Sequence, residues 1–267
     1  MVLRPGDEVI MPSWSHPSAA NAVILAGGIP VFVDVNNDLN INIDCIVRAI
    51  TSKTKAILPV HYAGVVADMA AINHIAQWHG LYVIEDAAQA IGNWKVSGDF
   101  GCLSFQEKKN VQIGQGGALI VRNEQFIERA GIYQNMGTDR LQKKNWDWVD
   151  IGSSYLMSEL LADKLHEQLL RLPEITKSRQ DRWDVYDSNF HDHKERGRQR
   201  GNGHLFWLMV EDKWEWMKSH LHSSSHFDAL HLTIPGRKYG RTGGPIVTAT
   251  KAMNMLVKLS TDASTAS

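Results

Sequence analysis

Short β-branched runs alternate with stretches of helical periodicity through the first half of this chain, and that alternation narrows the fold more than any other feature. Residues 8–11, 31–34, 56–60, 81–85, 102–105 and 118–121 read as strands with helices between them. Such an order stacks βαβ units into an α/β fold, with a mostly parallel sheet between layers of helices. The clearest helix covers 68–79: Asp68 can cap it, Met69, Ile72, Ile75 and Ala76 recur at helical spacing, and Gly80 suits its end. Asn123 is expected to cap a helix through Phe126 and Ile127. A longer helix is expected from Ser153, burying Leu156, Leu160 and Leu165 and stopping before Pro173. The 267 residues are 43% hydrophobic, and 28 basic side chains against 29 acidic ones leave a net charge of -1. That excludes a disordered polyelectrolyte and gives no global attraction to nucleic acid or membrane.

Beyond Phe190 the pattern changes. His191 to Arg200 is charged and aperiodic, and seven of the twelve histidines lie between His191 and His231. We therefore read a large domain over 1–190, a linker over 191–202 and a small α+β domain over 203–267, with a strand at 204–210 and a helix around 214–221. The two cysteines, Cys45 and Cys102, suggest neither a disulfide framework nor a zinc site. The first residues lack an apolar export segment, and the run from Ala22 to Val33 is broken by Gly27, Gly28 and Pro30, so the expected home is the cytoplasm.

Ligands of an open parallel sheet collect beyond the carboxyl ends of its strands. Four clusters lie there: Pro12-Ser13-Trp14-Ser15-His16, His61-Tyr62, Asp86-Ala87-Ala88-Gln89 and Gln106-Glu107-Lys108-Lys109-Asn110. Asp86 can hold a cation or a protonated ring nitrogen, or it can cap the following segment. Lys109 is either a solvated loop charge or an amine for Schiff-base chemistry opposite Asp86. The turn Gly114-Gln115-Gly116-Gly117 lacks the order of a dinucleotide or P-loop site and reads as a β-turn. His191, His193 and the arginines near 196–200 read as exposed linker, with no metal or nucleic-acid ligand set.

Together the motifs Gly6-Asp7-Glu8-Val9-Ile10-Met11-Pro12-Ser13, Val31-Phe32-Val33-Asp34-Val35, Pro59-Val60-His61-Tyr62-Ala63-Gly64, Ile84-Glu85-Asp86-Ala87-Ala88-Gln89, Gly101-Cys102-Leu103-Ser104-Phe105 and Lys109-Asn110 resemble the DegT/StrS sugar-nucleotide aminotransferases. His61-Tyr62-Ala63-Gly64 and the run from Asp150 to Leu160 resemble its dTDP-4-amino-4,6-dideoxygalactose transaminase branch most. The resemblance is dense over 4–190 and implies a fold-type I pyridoxal 5'-phosphate enzyme acting as a homodimer. It also implies transfer of an amino group from glutamate to the 4-keto carbon of a dTDP-linked 6-deoxyhexose, for cell-surface glycans. By position, Lys109 would bind the cofactor aldehyde and move the proton, and Asp86 would keep the pyridine nitrogen protonated. Gln89 would lie near the phenolic oxygen, His16 would stack on the ring and Ser104 would bond the phosphate. Ser154 would face the partner's cofactor. His231, Arg237 and Lys238 would face the substrate.

The chain also departs from the family pattern. The family carries a phosphate-cradling segment upstream of Pro5-Gly6-Asp7. Without its two charge-assisted hydrogen bonds, cofactor binding is expected to weaken by roughly two to four powers of ten, and apolar surface is expected to be left uncovered. Ser97-Gly98-Asp99-Phe100 stands in for a longer hairpin, and the His-Tyr-x-Pro-Leu-His loop survives as Phe227-Asp228-Ala229-Leu230-His231. These departures suggest a second reading, an inactive truncated relative that serves as the partner subunit of a complete enzyme.

Overall fold

The computed structural model describes residues 3–139, 146–220 and 222–262. Its first part contains β1 (Glu8–Pro12), α1 (Pro17–Leu25), β2 (Ile29–Val33), α2 (Ile43–Ala49), β3 (Thr54–Ile57), α3 (Met69–His79), β4 (Tyr82–Asp86), β5 (Phe100–Ser104), β6 (Gly117–Val121) and α4 (Ile127–Gln134). There follow α5 (Glu159–Leu170), α6 (Leu172–Asn189), β7 (Leu205–Met209), α7 (Lys213–Ser219), β8 (Ser223–Ser224), α8 (Ile234–Tyr239), β9 (Arg241–Thr242), α9 (Thr248–Met255) and β10 (Leu256–Ser260). A seven-stranded sheet runs β6-β5-β4-β3-β1-β2-β9, parallel at every pairing except β5 with β6.

Side chains alternate across this sheet with the period of two that a strand imposes. Ile10 faces one way and packs with Val31, Val33, Ile57 and Val83 against Ile46 of α2 and Ile72 and Ala76 of α3. Val9 and Met11 face the other way, onto Ala19, Ala20 and Val23 of α1. Both faces are therefore covered, which is why all five residues of β1 are buried. The caps expected for α3 are present: the Asp68 side chain accepts from Ala71 N at 3.0 Å, and Gly80 takes the left-handed conformation at φ +65°.

A second sheet, in the order β7-β10-β8, is antiparallel. Phe206, Leu208, Val257 and Leu259 on one of its faces pack on Trp183 of α6. Leu205, Trp207, Met209 and Leu256 on the other face meet Trp14 and Tyr62, at the carboxyl ends of β1 and β3. The segment 191–202 lies along β7: Gly197 N donates to Trp207 O at 3.0 Å and Met209 N to Glu195 O at 2.9 Å. β9, from the C-terminal part, pairs with the β2 edge of the large sheet. Asp34, at the end of β2, accepts from Val247, Thr248 and Ala249 N at 2.8 to 2.9 Å and so anchors the start of α9.

All six strands expected in the first half are present, with ends displaced by at most three residues. β3 stops early because Pro59 has no N–H for the ladder, and the chain rejoins it only at the Val60–Asp86 bridge. Three expectations need correction. Asn123 makes no cap; its Nδ2 donates to Asp99 Oδ1 at 3.0 Å, and a 3-10 turn over Glu124–Phe126 precedes α4. The helix expected from Ser153 starts only at Glu159, as α5, although it ends at Leu170, before Pro173, as expected; Pro173 itself sits in the first turn of the next helix, α6, where a missing N–H is harmless. Leu156 precedes α5 and Leu160 is 80% exposed, so of the three leucines expected in the core only Leu165 packs, against the Phe105 cluster. The helix expected around 214–221 is α7; residue 221 lies outside the described residues.

Candidate active site

β4 delivers Asp86 to the mouth of the sheet, and its backbone is fixed on both sides. Asp86 N donates to Pro59 O at 2.9 Å, and His61 N donates to Asp86 O at 3.0 Å. One carboxylate oxygen, Oδ1, accepts from Ala88 N at 3.1 Å. Oδ2 has no protein partner among the described residues, so the turn-capping and ligand-holding readings of Asp86 are both accommodated, one on each oxygen. The preceding residue, Glu85, braces this strand end from inside. Its Oε2 accepts from His61 Nε2 at 2.9 Å and Trp94 Nε1 at 2.7 Å, while Oε1 accepts from Ser97 N at 2.7 Å and Gly98 N at 2.6 Å. His61 Nδ1 accepts from Ala67 N at 3.2 Å, so the ring proton is on Nε2 and points at Glu85. Burial pushes the Glu85 carboxyl up, but these donors outweigh it and hold it below the usual carboxylate value. The turn at Ser97-Gly98 thus has a definite task, to close over Glu85.

Lys109 sits in the turn after β5, its N donating to Gln106 O at 2.9 Å. The next residue ties this turn to the small sheet: Asn110 Nδ2 donates to Asn202 O at 3.4 Å, and Asn110 Oδ1 accepts from His204 Nδ1 at 2.7 Å. Asn202 in turn donates from Nδ2 to Gln89 O and Ile91 O, both at 2.8 Å, and accepts from His204 N at 3.0 Å. One fully buried asparagine therefore joins the Lys109 turn, the Asp86–Gln89 turn and β7. The Lys109 amine is half-buried and makes no hydrogen bond among the described residues. Burial pulls its pKa below the ordinary lysine value, and the Asp86 charge partly restores it.

His16, exposed, caps α1 through Nδ1, which accepts from Ser18 N at 3.2 Å. Its ring lies edge-on to Phe227 at 6.0 Å. Burial and then Lys109 push its pKa down, opposed by Asp86, so the ring shares the field of both groups and stays neutral as its cap requires. Gln89 Oε1 accepts from Ala63 N at 2.7 Å, which leaves its Nε2 unbonded among the described residues. Ser104 ends β5 two residues past Cys102, the register partner of Asp86, and its Oγ accepts from Gln106 N at 3.4 Å. Lys109, Asp86, His16, Gln89 and Ser104 thus occupy the carboxyl ends of β1, β4 and β5 and the turns that follow.

Of the remaining sequence candidates, His231 adjoins the carboxyl end of β1, and the others lie outside this group. Ser154 is exposed and bridges Asn135. His231 is bonded to the scaffold, Nδ1 to Ser13 Oγ at 2.7 Å and Nε2 to Thr250 Oγ1 at 3.5 Å. Arg237 and Lys238 are exposed on α8, whose end at Gly240 adjoins Pro30 of β2. In their place the structure brings up His204, Lys258 and His226, which the sequence reading did not single out. His226 accepts from Tyr62 OH at 2.8 Å and stacks on Phe227 at 3.8 Å. Burial, then Lys258, His204, Lys109 and His16, drive its pKa well below the ordinary value. The clue was His226-Phe227, which restores the aromatic pair of the family loop. Among the described residues no three His, Cys, Asp or Glu are placed to hold a metal, and no helix is long and apolar enough to cross a membrane.

Asn202→Ala removes three buried hydrogen bonds and leaves two carbonyls and an N–H unpaired. It is expected to cost about 2–4 kcal/mol in urea unfolding, while Asn202→Asp, which keeps only the acceptor, recovers less than half of that.

An unpaired, half-buried amine in the field of Asp86, whose Oδ2 has no protein partner among the described residues, is a donor set that fits an aldehyde-bearing pyridine. The architecture is that of fold-type I pyridoxal-phosphate aminotransferases, with their mostly parallel central sheet and covering helices. The chain belongs to the DegT/DnrJ/EryC1/StrS aminotransferase family, whose profile matches residues 1–232. It is 31% identical over 218 residues to the GDP-perosamine synthase of Vibrio cholerae, covering 77% of this chain and 58% of that protein. The chain thus spans little more than half the length of that relative. A DegT DnrJ EryC1 StrS aminotransferase from Brucella abortus superposes with a TM-score of 0.89 at 25% identity, over 97% of this chain and 75% of that one. An E. coli GDP-4-keto-6-deoxy-D-mannose-3-dehydratase solved with bound hydrated PLP gives a TM-score of 0.87 at 20% identity, over 97% and 76%. That likeness concerns the fold. Homologues of this chain are pyridoxal-phosphate-dependent aminotransferases.

Proposed function

We propose that this chain carries the cofactor and substrate chemistry of a pyridoxal-phosphate-dependent sugar-nucleotide aminotransferase; the unpaired, half-buried Lys109 amine, acted on by the charge of Asp86 at the mouth of β4, is the observation that carries the reading. Bound there, pyridoxal phosphate supplies an electrophilic aldehyde and an electron-withdrawing ring. Lys109 Nζ, with its proton affinity reduced by burial, is the nucleophile that holds the aldehyde carbon. With the cofactor bound, the same nitrogen would be the base available to take a proton from the amino donor's α-carbon and to return it. Asp86 Oδ2 would accept the hydrogen bond of the protonated ring nitrogen, and the Glu85–His61 brace holds the strand end that carries it. His16 would cover one face of the ring, Gln89 Nε2 would reach toward the phenolic oxygen, and Ser104 would contribute to holding the phosphate. His231, Arg237 and Lys238 stand further out, on the sugar-nucleotide side.

The amino donor is glutamate and the acceptor the 4-keto carbon of a nucleotide-linked 6-deoxyhexose. Resemblance to the dideoxygalactose branch favours dTDP as the nucleotide; similarity to a GDP-perosamine synthase favours GDP. A homodimer completes the site: Trp148, Ile151 and Tyr155 are 80%, 70% and 69% exposed beside Ser154, an apolar surface suited to a second copy that Ser154 would enter.

The test is a half-reaction in each direction. Glutamate should convert the cofactor-loaded chain to the amine form, and a 4-keto-6-deoxyhexose linked to dTDP or to GDP should restore the aldehyde form. Restoration by one nucleotide at a kcat/KM at least tenfold above the other assigns it. Failure of glutamate to convert a loaded chain would defeat the reading.

A further inference from the structure

The small sheet holds a lysine where a sheet does not ordinarily tolerate one. Lys258 lies on β10, the central strand, opposite Trp207 on one side and Ser224 on the other. Strand periodicity places it with Leu256, on the face that packs toward Trp14 and Tyr62, whereas Val257 and Leu259 face α6. It is half-buried and forms no ion pair or hydrogen bond among the described residues. Lysines so placed are normally paired, because an ammonium withdrawn from water without a counter-charge is costly.

Its neighbours offer none. Burial, then Lys108 and Lys109, lower its pKa. His204 and His226, which also feel Lys258, are driven well below their ordinary value by burial first and stay neutral. The charges that register at this place are three lysines against Asp86, which acts on Lys109. A local surplus of positive charge persists on the small-sheet side of the site.

We propose that Lys258 is the anchor of an oxyanion subsite facing Lys109 from the small sheet, which takes a carboxylate of the amino donor or a phosphate of the sugar nucleotide. This rests on reading Lys109 and Asp86 as the reacting centre and adds a residue the sequence motifs do not mark. A leucine or methionine at this position would complete the apolar face, whereas the lysine supplies a charge that no protein group among the described residues answers.

Two probes separate the two sources without any covalent chemistry. The full chain is titrated calorimetrically with glutarate, a dicarboxylate without an amine, and separately with pyrophosphate, in the wild type, Lys258→Met and Lys258→Arg. At least one probe is expected to bind the wild type, at least tenfold more weakly to Lys258→Met and within threefold to Lys258→Arg. Preference for glutarate assigns the donor carboxylate, and preference for pyrophosphate the nucleotide. Lys258→Met is expected to melt at a higher temperature than the wild type. Equal affinity in wild type and Lys258→Met, no binding of either probe, or a lower melting temperature in Lys258→Met would each overturn the proposal. Neither probe reacts with Lys109, so borohydride trapping of pyridoxal phosphate on the same preparations reports separately on the proposed function.

Discussion

Lys109→Ala is expected to lower amino transfer by about 10⁴-fold, the upper range for a lost general acid–base group, and more where covalent attachment also counts. Lys109→Arg should fail as completely, since a guanidinium keeps the charge but neither gives up its proton nor attacks an aldehyde. That separates proton transfer from simple electrostatics. The fold should survive, because the Lys109 amine has no protein partner among the described residues and is half-buried; its removal is expected to leave the urea midpoint unchanged or slightly raised. Burial and the weaker opposing pull of Asp86 leave the amine below the ordinary lysine value. The rate should therefore rise with pH and reach its plateau below the ordinary lysine pKa of about 10.4. Asp86→Asn weakens the opposing charge and should move that plateau to still lower pH, measured as the pH profile of the glutamate half-reaction.

The largest effect on stability is expected at Asp34→Ala, about 3–5 kcal/mol in urea unfolding. Asp34 is 8% exposed and receives Val35 N as well as the three N–H groups that open α9, so alanine orphans four donors at once. Burial raises the Asp34 carboxyl, but the backbone donors at Thr248, Ala249, Val247 and Val35 outweigh it and hold the pKa below the usual value. The linkage has one sign. With the folded pKa depressed, the contribution is complete above the unfolded value of about 3.9 and is lost as pH falls through the folded value. Glu85 adds to this in the same direction. Urea midpoints should fall steeply below about pH 4, and Asp34→Asn should flatten that acid limb while keeping part of the neutral stability.

The residues differ in how much of this they disclose. The strands and α3 are legible because their signals are local: a β-branched run, a capping aspartate, a terminal glycine. Asp86 and Lys109 are legible because both follow strands directly, and position beyond a strand end is itself the site rule of an open sheet. What the sequence hides is set by long-range contact. Asn202 joins residues some ninety and a hundred and ten positions away, at Asn110 and Gln89, and no window of sequence displays that. Lys258 falls in a C-terminal stretch that shows little periodicity, and only the pairing of β10 with β7 and β8 reveals its place. Pro173 marks the end of α5 correctly, but a proline can also begin the next helix, and only the turn at Arg171 shows that α6 starts there. Asn123 was equally ambiguous, a good cap by type whose side chain is claimed by Asp99.

The most direct test is to incubate the full chain with pyridoxal phosphate, reduce it with borohydride and locate the label by peptide mass spectrometry. Lys108, Lys109 and Lys258 lie close together, so position is informative. The account predicts one pyridoxyl group per chain, on Lys109, absent from Lys109→Ala. A label on Lys108 or Lys258, or none at saturating cofactor, would contradict it.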